Sequence, residues 1–321
     1  MARPLRIQFP HAYYHVMNRG LAHQAVFTDR ADRAMFLQLL ADCHEMWGIR
    51  VIAYCLLDTH YHLLIQTPQA NLSRVMRHLD GLYTQRYNRR HQRDGPLFRG
   101  RYKAIVVGAD EYLLSVARYI HQNPVAVGLV RSAEAYAWSS YRLYLDRRRQ
   151  PAWLDVEQLL NRFPKMDRPR AFLTFMRSKV EEPVRAFYES RRWLPVLGSK
   201  DLHKRLRKRV RKRKTGLAEV PEAKAYLRPD ASTCLEVVGQ VYGRRREDLL
   251  RSRRGQRNEA RAMAMYMCRR LAGMKLEVIA KLFRVGGYSA VGSVIGRMKE
   301  QLERGGETAR RFQKIRQRLQ R

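Results

Sequence analysis

Along the first half of the chain, the spacing of apolar and polar positions changes several times, and each change marks an element. His11–Arg19 (HAYYHVMNR) is dense in strand formers and stops at Gly20. From Asp29 to Trp47 the apolar residues Phe36, Leu39, Leu40 and Cys43 recur on one stripe at helical spacing, and Gly48 closes the segment. Ile49–Leu57 predicts a strand. Thr59–Thr67 (THYHLLIQT) reads as its hairpin partner, stopped by Pro68. Leu72–Arg89 is a second helix with Val75, Leu79, Leu82 and Tyr83 at core spacing. Arg101–Val107 predicts a further strand. Asp110 caps a third helix that runs to about Gln122 and is ended by Pro124.

The order is β-α-β-β-α-β-α. Its first six elements describe a ferredoxin-like split βαβ, an antiparallel sheet with two helices on one face, and the seventh adds a helix beyond the last strand. The fold class is therefore α+β, with residues 1–146 as one compact domain. Residues 147–229 lack a clear period. Trp153, Trp193 and several prolines make them an irregular connector, and within it 204–214 (KRLRKRVRKRK) is basic at nine of eleven positions. That run reads as a phosphate-tracking arm or as a solvated linker. Period 3.6 returns over 230–302. Cys234, Val237, Val238 and Val241 share a stripe, Arg257–Leu271 is a strong helix former, and Leu276–Phe283, a turn at Gly286–Gly287 and Ser289–Leu302 complete an all-α helix-turn-helix pattern. Residues 303–321 read as a basic tail.

Charge narrows the function. Among 321 residues, 64 are Lys or Arg against 29 Asp or Glu, a formal net charge of +35. Such a surface binds polyanions, because each neutralised phosphate releases condensed counterions. No apolar run is long enough for a transmembrane helix, and the N-terminus lacks a signal-peptide core. The four cysteines, Cys43, Cys55, Cys234 and Cys268, form no CxxC pair, which argues against zinc fingers and disulfide frameworks. The expectation is a cytoplasmic, nucleoid-associated protein with no membrane partner.

Two short motifs carry chemistry. His60 and His62 alternate along a predicted strand, so both imidazoles face one side and can share a divalent cation, while Tyr61, Leu63 and Ile65 face the other. In RYIHQNPV (118–125), Tyr119 and Asn123 are i and i+4 on a helix, with His121 turned away. The Asn123 amide oxygen is a candidate third metal ligand, and the Tyr119 phenol beside it a candidate nucleophile. An unperturbed phenol has a pKa near 10 and needs activation by a metal, a base or a cation such as Arg118. A purely structural histidine pair and an ordinary packing tyrosine are the alternatives. A metallo-β-lactamase-type HxHxDH fails, because Leu64 and Ile65 stand where its Asp and third His belong. HExxH is absent.

The pieces YYHVMNRG (13–20), YCLLDTHYHLLIQTP (54–68), PLFRGRYKA (96–104) and RYIHQNPVAVGLV (118–130) occur together and in order. In this the chain resembles the single-tyrosine HUH transposases, and specifically the REP-associated tyrosine transposases, over about residues 5–146. The resemblance implies Tyr119 as nucleophile, and Mg²⁺ or Mn²⁺ held by His60, His62 and Asn123. It implies single-stranded palindromic hairpins as substrates, cut through a 5′-phosphotyrosine that leaves a free 3′-OH, by a monomer or homodimer.

For DNA binding, Arg99, Arg101 and Lys103 alternate along the last predicted strand, and Arg19 and Arg118 flank the proposed site. Tyr13, Tyr14, Tyr83 and Tyr87 are candidates for base stacking or for core packing. The C-terminal region, on VVGQVYGRRREDLLRSRRGQRNEARAMAMYMCRRLAG and the segment after it, is similar to the DNA-binding domain of the bacterial replication initiator. This implies duplex or hairpin-stem binding, with Arg254, Arg257, Arg261 and Arg297 as phosphate contacts. Gly287–Val291 departs from that family's Asp-His-Ser-Thr run, so its usual recognition box is not expected. Two other functions compete: a non-catalytic repeat-DNA-binding regulator, and an RNA binder, the latter weakened by the lack of an aromatic-rich central strand.

Overall fold

A computed structural model describes residues 7–190, 194–212, 228–251 and 258–320. The chain divides into two compact units, one over residues 5–214 and one over residues 215–321 together with 1–4.

In the larger unit, strands β1 (Ala12–Arg19), β2 (Arg50–Leu57), β3 (His60–Thr67), β4 (Lys103–Val107) and β5 (Val196–Leu197) form one sheet in the order β2-β3-β1-β4-β5. The first three pairings are antiparallel and β4–β5 is parallel. This is the α+β arrangement that the periodicity predicts, with β5 as an unforeseen fifth strand. Helices α1 (Arg30–Trp47) and α2 (Leu72–Arg90) cover one face. There Phe36 packs on Tyr61 at 4.8 Å and on Tyr83 at 5.1 Å between ring centroids. The Asp29 carboxylate caps α1 by accepting from the Asp32 amide at 3.0 Å, and Gly48 ends it at φ 63°, a left-handed conformation that glycine adopts without strain.

Helix α3 (Ala109–Ala126) lies on the opposite face. It continues past Pro124, where the sequence suggests a stop. The proline ring removes a single intrahelical donor in the last turn, and the Val127 amide still closes on the Asn123 carbonyl at 3.1 Å. β4 begins at Lys103 rather than Arg101, so Arg99 and Arg101 belong to the approach loop. That loop is pinned by the Arg99 amide, which donates to the Arg19 carbonyl at 2.9 Å.

The segment read as an irregular connector is built onto this unit. Helices α4 (Tyr141–Leu145), α5 (Glu157–Leu160), α6 (Arg168–Arg177) and α7 (Glu182–Glu189) precede β5, and α8 (Lys200–Lys212) follows it. Phe172 is fully buried among Tyr141, Tyr144 and Phe163. The stretch 138–155 also covers the outer edge of β2. The Leu56 amide donates to the Trp138 carbonyl (2.9 Å), Ser140 to Tyr54 (3.0 Å) and Asp155 to Val51 (2.7 Å). Through residue 212 the basic run is helical; residues 213 and 214 lie outside the described residues.

The second unit is helical, with α9 (Ala231–Tyr242), α10 (Arg246–Leu250), α11 (Glu259–Arg270), α12 (Leu276–Phe283), α13 (Tyr288–Glu303) and α14 (Gly306–Gln320). Helix α14 replaces the expected basic tail, because Ile315 and Leu319 give it an apolar stripe that is buried in the core of this unit. Arg261 is buried and donates to the carbonyls of Leu249 (3.2 Å), Leu250 and Phe283 (2.6 Å), so it ties α10 and α12 to α11 and does not reach phosphate. Arg261→Ala leaves two buried carbonyls and one half-buried one short of a donor, and the C-terminal unit is expected to lose about 2 kcal/mol of stability by thermal or urea unfolding. No single helix among the described residues is long and apolar enough to cross a membrane.

Candidate active site

The β1–β3 register sets the site. His62 stands opposite Met17 on β1 and Cys55 on β2, and His60 opposite Arg19 and Leu57. Directly opposed residues share a face, so His15, Met17, Arg19, His60 and His62 all project toward α3, and Lys103, opposite Met17, joins them. Helix α3 brings Tyr119 onto this face. Its ring centroid is 6.0 Å from His62 and 6.0 Å from His15, both edge-on, and His60 lies 5.0 Å from His62. Asn123, one turn along, hydrogen-bonds the Tyr119 hydroxyl. The histidine pair, the tyrosine and the asparagine thus converge within a single chain.

Burial governs the electrostatics. His62 is pushed well below the ordinary histidine range by loss of solvent, with the neighbouring His15 and His60 adding to the effect. His60 is also lowered, by burial first and then by Arg19 and His23. Both imidazoles are therefore neutral at physiological pH and carry lone pairs. His62 Nε2 is buried and has no hydrogen-bond partner among the described residues. A neutral ring nitrogen left bare on a polar face suits a cation. Burial raises the Tyr119 phenol above 10, and the Asn123 amide pulls against that shift. Lys103 is lowered by partial loss of solvent around its ammonium and by the nearby Arg19 and Arg99, so a cationic cluster stands beside the histidines.

Of the expected DNA contacts, Arg19, Arg99, Arg101 and Lys103 are exposed. Arg118 is not. Its side chain is only 2% exposed, donates to Phe175 O at 3.1 Å and to Ser178 Oγ, pairs with Glu181, and lies 4.1 Å over the Phe175 ring. It clasps α6 and the start of α7 to α3. Arg118→Ala is expected to cost about 2 kcal/mol of stability and to leave the salt dependence of hairpin binding unchanged, which unfolding and salt titrations would check. Arg254 and Arg257 lie outside the described residues. The candidate stacking tyrosines are engaged in the fold. Tyr14, Tyr83 and Tyr87 are buried, and the Tyr13 hydroxyl donates to Gln158 at 2.8 Å.

Two further residues belong to the site without any motif to announce them. His15 is fully buried and links His62 to Tyr188 of α7. Tyr188 stacks on Tyr119 with centroids 4.0 Å apart and planes 13° from parallel. Period-2 alternation from Arg19 back to His15 puts the histidine on this face, but its partner strand cannot be read without the register. For Tyr188 the sequence holds no signal.

No curated protein matches the chain at a significant level. A solved structure, of a REP-associated tyrosine transposase bound to a REP hairpin, superposes with a TM-score of 0.40 at 16% identity, covering 49% of this chain and 93% of that one. Residues 8–123 match the sequence model of the family described as IS200-like transposase, and this span contains His15, His60, His62, Tyr119 and Asn123. The similarity to that family thus lies within residues 8–123, inside the larger unit and around the site.

Proposed function

We propose that the protein nicks single-stranded DNA and transfers the strand through a covalent bond to Tyr119, on palindromic repeat hairpins. The observation that carries this reading is the packing of the Tyr119 ring edge-on against His62, whose Nε2 is bare and buried. His60, His62 and the Asn123 carbonyl oxygen would hold Mg²⁺ or Mn²⁺, since the Asn123 amide group is turned to the Tyr119 oxygen. When bound there, such an ion would supply charge neutralisation at the scissile phosphate.

The chain's own groups supply the rest. Arg19, Arg99 and Lys103 draw the phosphate backbone to the face that carries the histidines. Asn123 donates to the Tyr119 oxygen and stabilises the phenolate as the phenol proton leaves to solvent. The Tyr119 oxygen attacks phosphorus, a Tyr–O–P bond forms, and the P–O3′ bond breaks with the 3′ oxygen taking up a proton. The 5′-phosphotyrosine keeps the energy of the broken ester, so a later 3′-OH rejoins the strand without a nucleotide cofactor. The tyrosine and the histidines come from one chain, and this supports action in cis.

The C-terminal unit supports a second contact to DNA. Helices α12 and α13 are bent by 95° across Arg284–Gly287, in the range of helix-turn-helix pairs, and Ser289, Ser293 and Arg297 line an exposed side of α13. We assign it duplex or hairpin-stem binding.

The test is incubation of 5′- and 3′-labelled hairpin DNA with the protein and Mn²⁺ or Mg²⁺. The expected result is a nick with a free 3′-OH, an SDS-resistant adduct that maps to Tyr119, and loss of both on adding EDTA. Tight hairpin binding without any adduct in either metal would favour a non-catalytic repeat binder instead.

A further inference from the structure

We infer that His15 and Tyr188 are positioning residues: they hold His62 in the tautomer that leaves Nε2 free for a cation, and Tyr188 braces the ring of Tyr119. The inference rests on the metal and nucleophile roles proposed above. It concerns residues that contact neither metal nor DNA in that scheme.

His15 is fully buried and both its ring nitrogens are used. Nε2 meets His62 Nδ1 at 2.9 Å, and Nδ1 meets the Tyr188 hydroxyl at 2.5 Å. His15 is therefore no ligand, although it belongs to the same cluster. Between two neutral imidazoles one nitrogen donates and the other accepts, so only two arrangements exist. In one, His62 Nδ1–H donates to His15 Nε2 and His15 Nδ1–H donates to the Tyr188 oxygen; His62 Nε2 then carries a lone pair. In the other, the Tyr188 hydroxyl donates to His15, His15 donates to His62, and His62 Nε2 bears a proton. That proton would be buried with no acceptor among the described residues. A buried, unsatisfied N–H is costly, whereas a bare lone pair is what a cation fills. The geometry selects the first arrangement.

The same tyrosine acts on the nucleophile. Its ring is stacked at 4.0 Å on Tyr119, while His15 and His62 meet Tyr119 edge-on. The phenol is thus held between one flat surface and two ring edges. The helix that carries Tyr188 is anchored from α3 itself, by Arg118 through Ser178 and Glu181 just before it. Position 118, next to the nucleophile, thereby fixes the element that braces it.

Tyr188→Phe keeps the stacking and deletes the hydroxyl; Tyr188→Leu deletes both; His15→Gln alters the relay from its middle. Each variant is checked for folding by circular dichroism. Mn²⁺ affinity is read from the paramagnetic resonance signal of free Mn²⁺, and the imidazole ¹⁵N shifts of the metal-free protein report which nitrogen of His62 bears the proton. Wild type is expected to carry it on Nδ1. Tyr188→Phe and His15→Gln are expected to weaken Mn²⁺ binding by about tenfold, with nicking by Tyr188→Phe restored at saturating Mn²⁺. Tyr188→Leu should stay slower by about tenfold even at saturating metal. A folded Tyr188→Phe with wild-type Mn²⁺ affinity, or a wild-type His62 protonated on Nε2, would overturn the inference. His62→Ala is the control that separates the two readings: unchanged Mn²⁺ binding in it removes the metal assignment, while the ¹⁵N shifts still decide the relay.

Discussion

Tyr119→Phe is expected to abolish the covalent adduct and to lower hairpin nicking by about 10⁴-fold or more, as loss of a reacting nucleophile does elsewhere. The substitution removes one oxygen and little else. The ring keeps its stack on Tyr188 and its edge contacts with His15 and His62, and only the hydrogen bond with Asn123 is lost. Folding and hairpin affinity should therefore stay near wild type, within about 1 kcal/mol by unfolding and by fluorescence anisotropy. This combination makes the variant informative. A general loss of activity through misfolding would reduce binding as well, whereas loss of the attacking oxygen leaves binding intact. Nicking at the wild-type rate would show that another group attacks.

His62→Ala carries the second large effect. We expect loss of measurable Mn²⁺ binding at micromolar metal and a fall in nicking of about 10³-fold. His62 is the more buried of the pair and the one whose Nε2 lacks a partner, so it should outweigh His60, which is partly exposed and has Nδ1 beside the Thr59 hydroxyl at 3.0 Å. His60→Ala should retain weak binding that excess Mn²⁺ partly restores. Equal metal affinity in wild type and in both variants, by calorimetric titration, would move the cation elsewhere.

Much of this site is legible in the amino-acid sequence, because it depends on local rules. The alternation of His60 and His62 in a strand and the i,i+4 pairing of Tyr119 with Asn123 need only the periods of strand and helix. The α+β order of the first seven elements follows from the same periods. What escapes them depends on long-range packing. His15 becomes meaningful only when the register sets it diagonally from His62. Tyr188 lies 69 positions beyond Tyr119, on a short helix whose packing partner cannot be read from its own sequence. Arg118 and Arg261 look like DNA ligands because a guanidinium in a basic chain usually faces solvent. The carbonyls that hold them belong to segments distant in sequence. The last helix is hidden for a similar reason: Ile315 and Leu319 are sparse among charges, and only their burial distinguishes α14 from a tail.

The covering of β2 by residues 138–155 bears on how copies of this protein can meet. A naked sheet margin offers a row of amides and carbonyls to any matching strand, and many proteins join their sheets that way. Here that row is spent on Trp138, Ser140 and Asp155, and the far margin ends in the short β5. Two molecules cannot be zipped into one continuous sheet through β2 without first peeling off a tryptophan-bearing segment. Any cooperation between them at paired repeats would then have to run through the DNA or through other surfaces, and strand breakage per molecule should be independent of protein concentration.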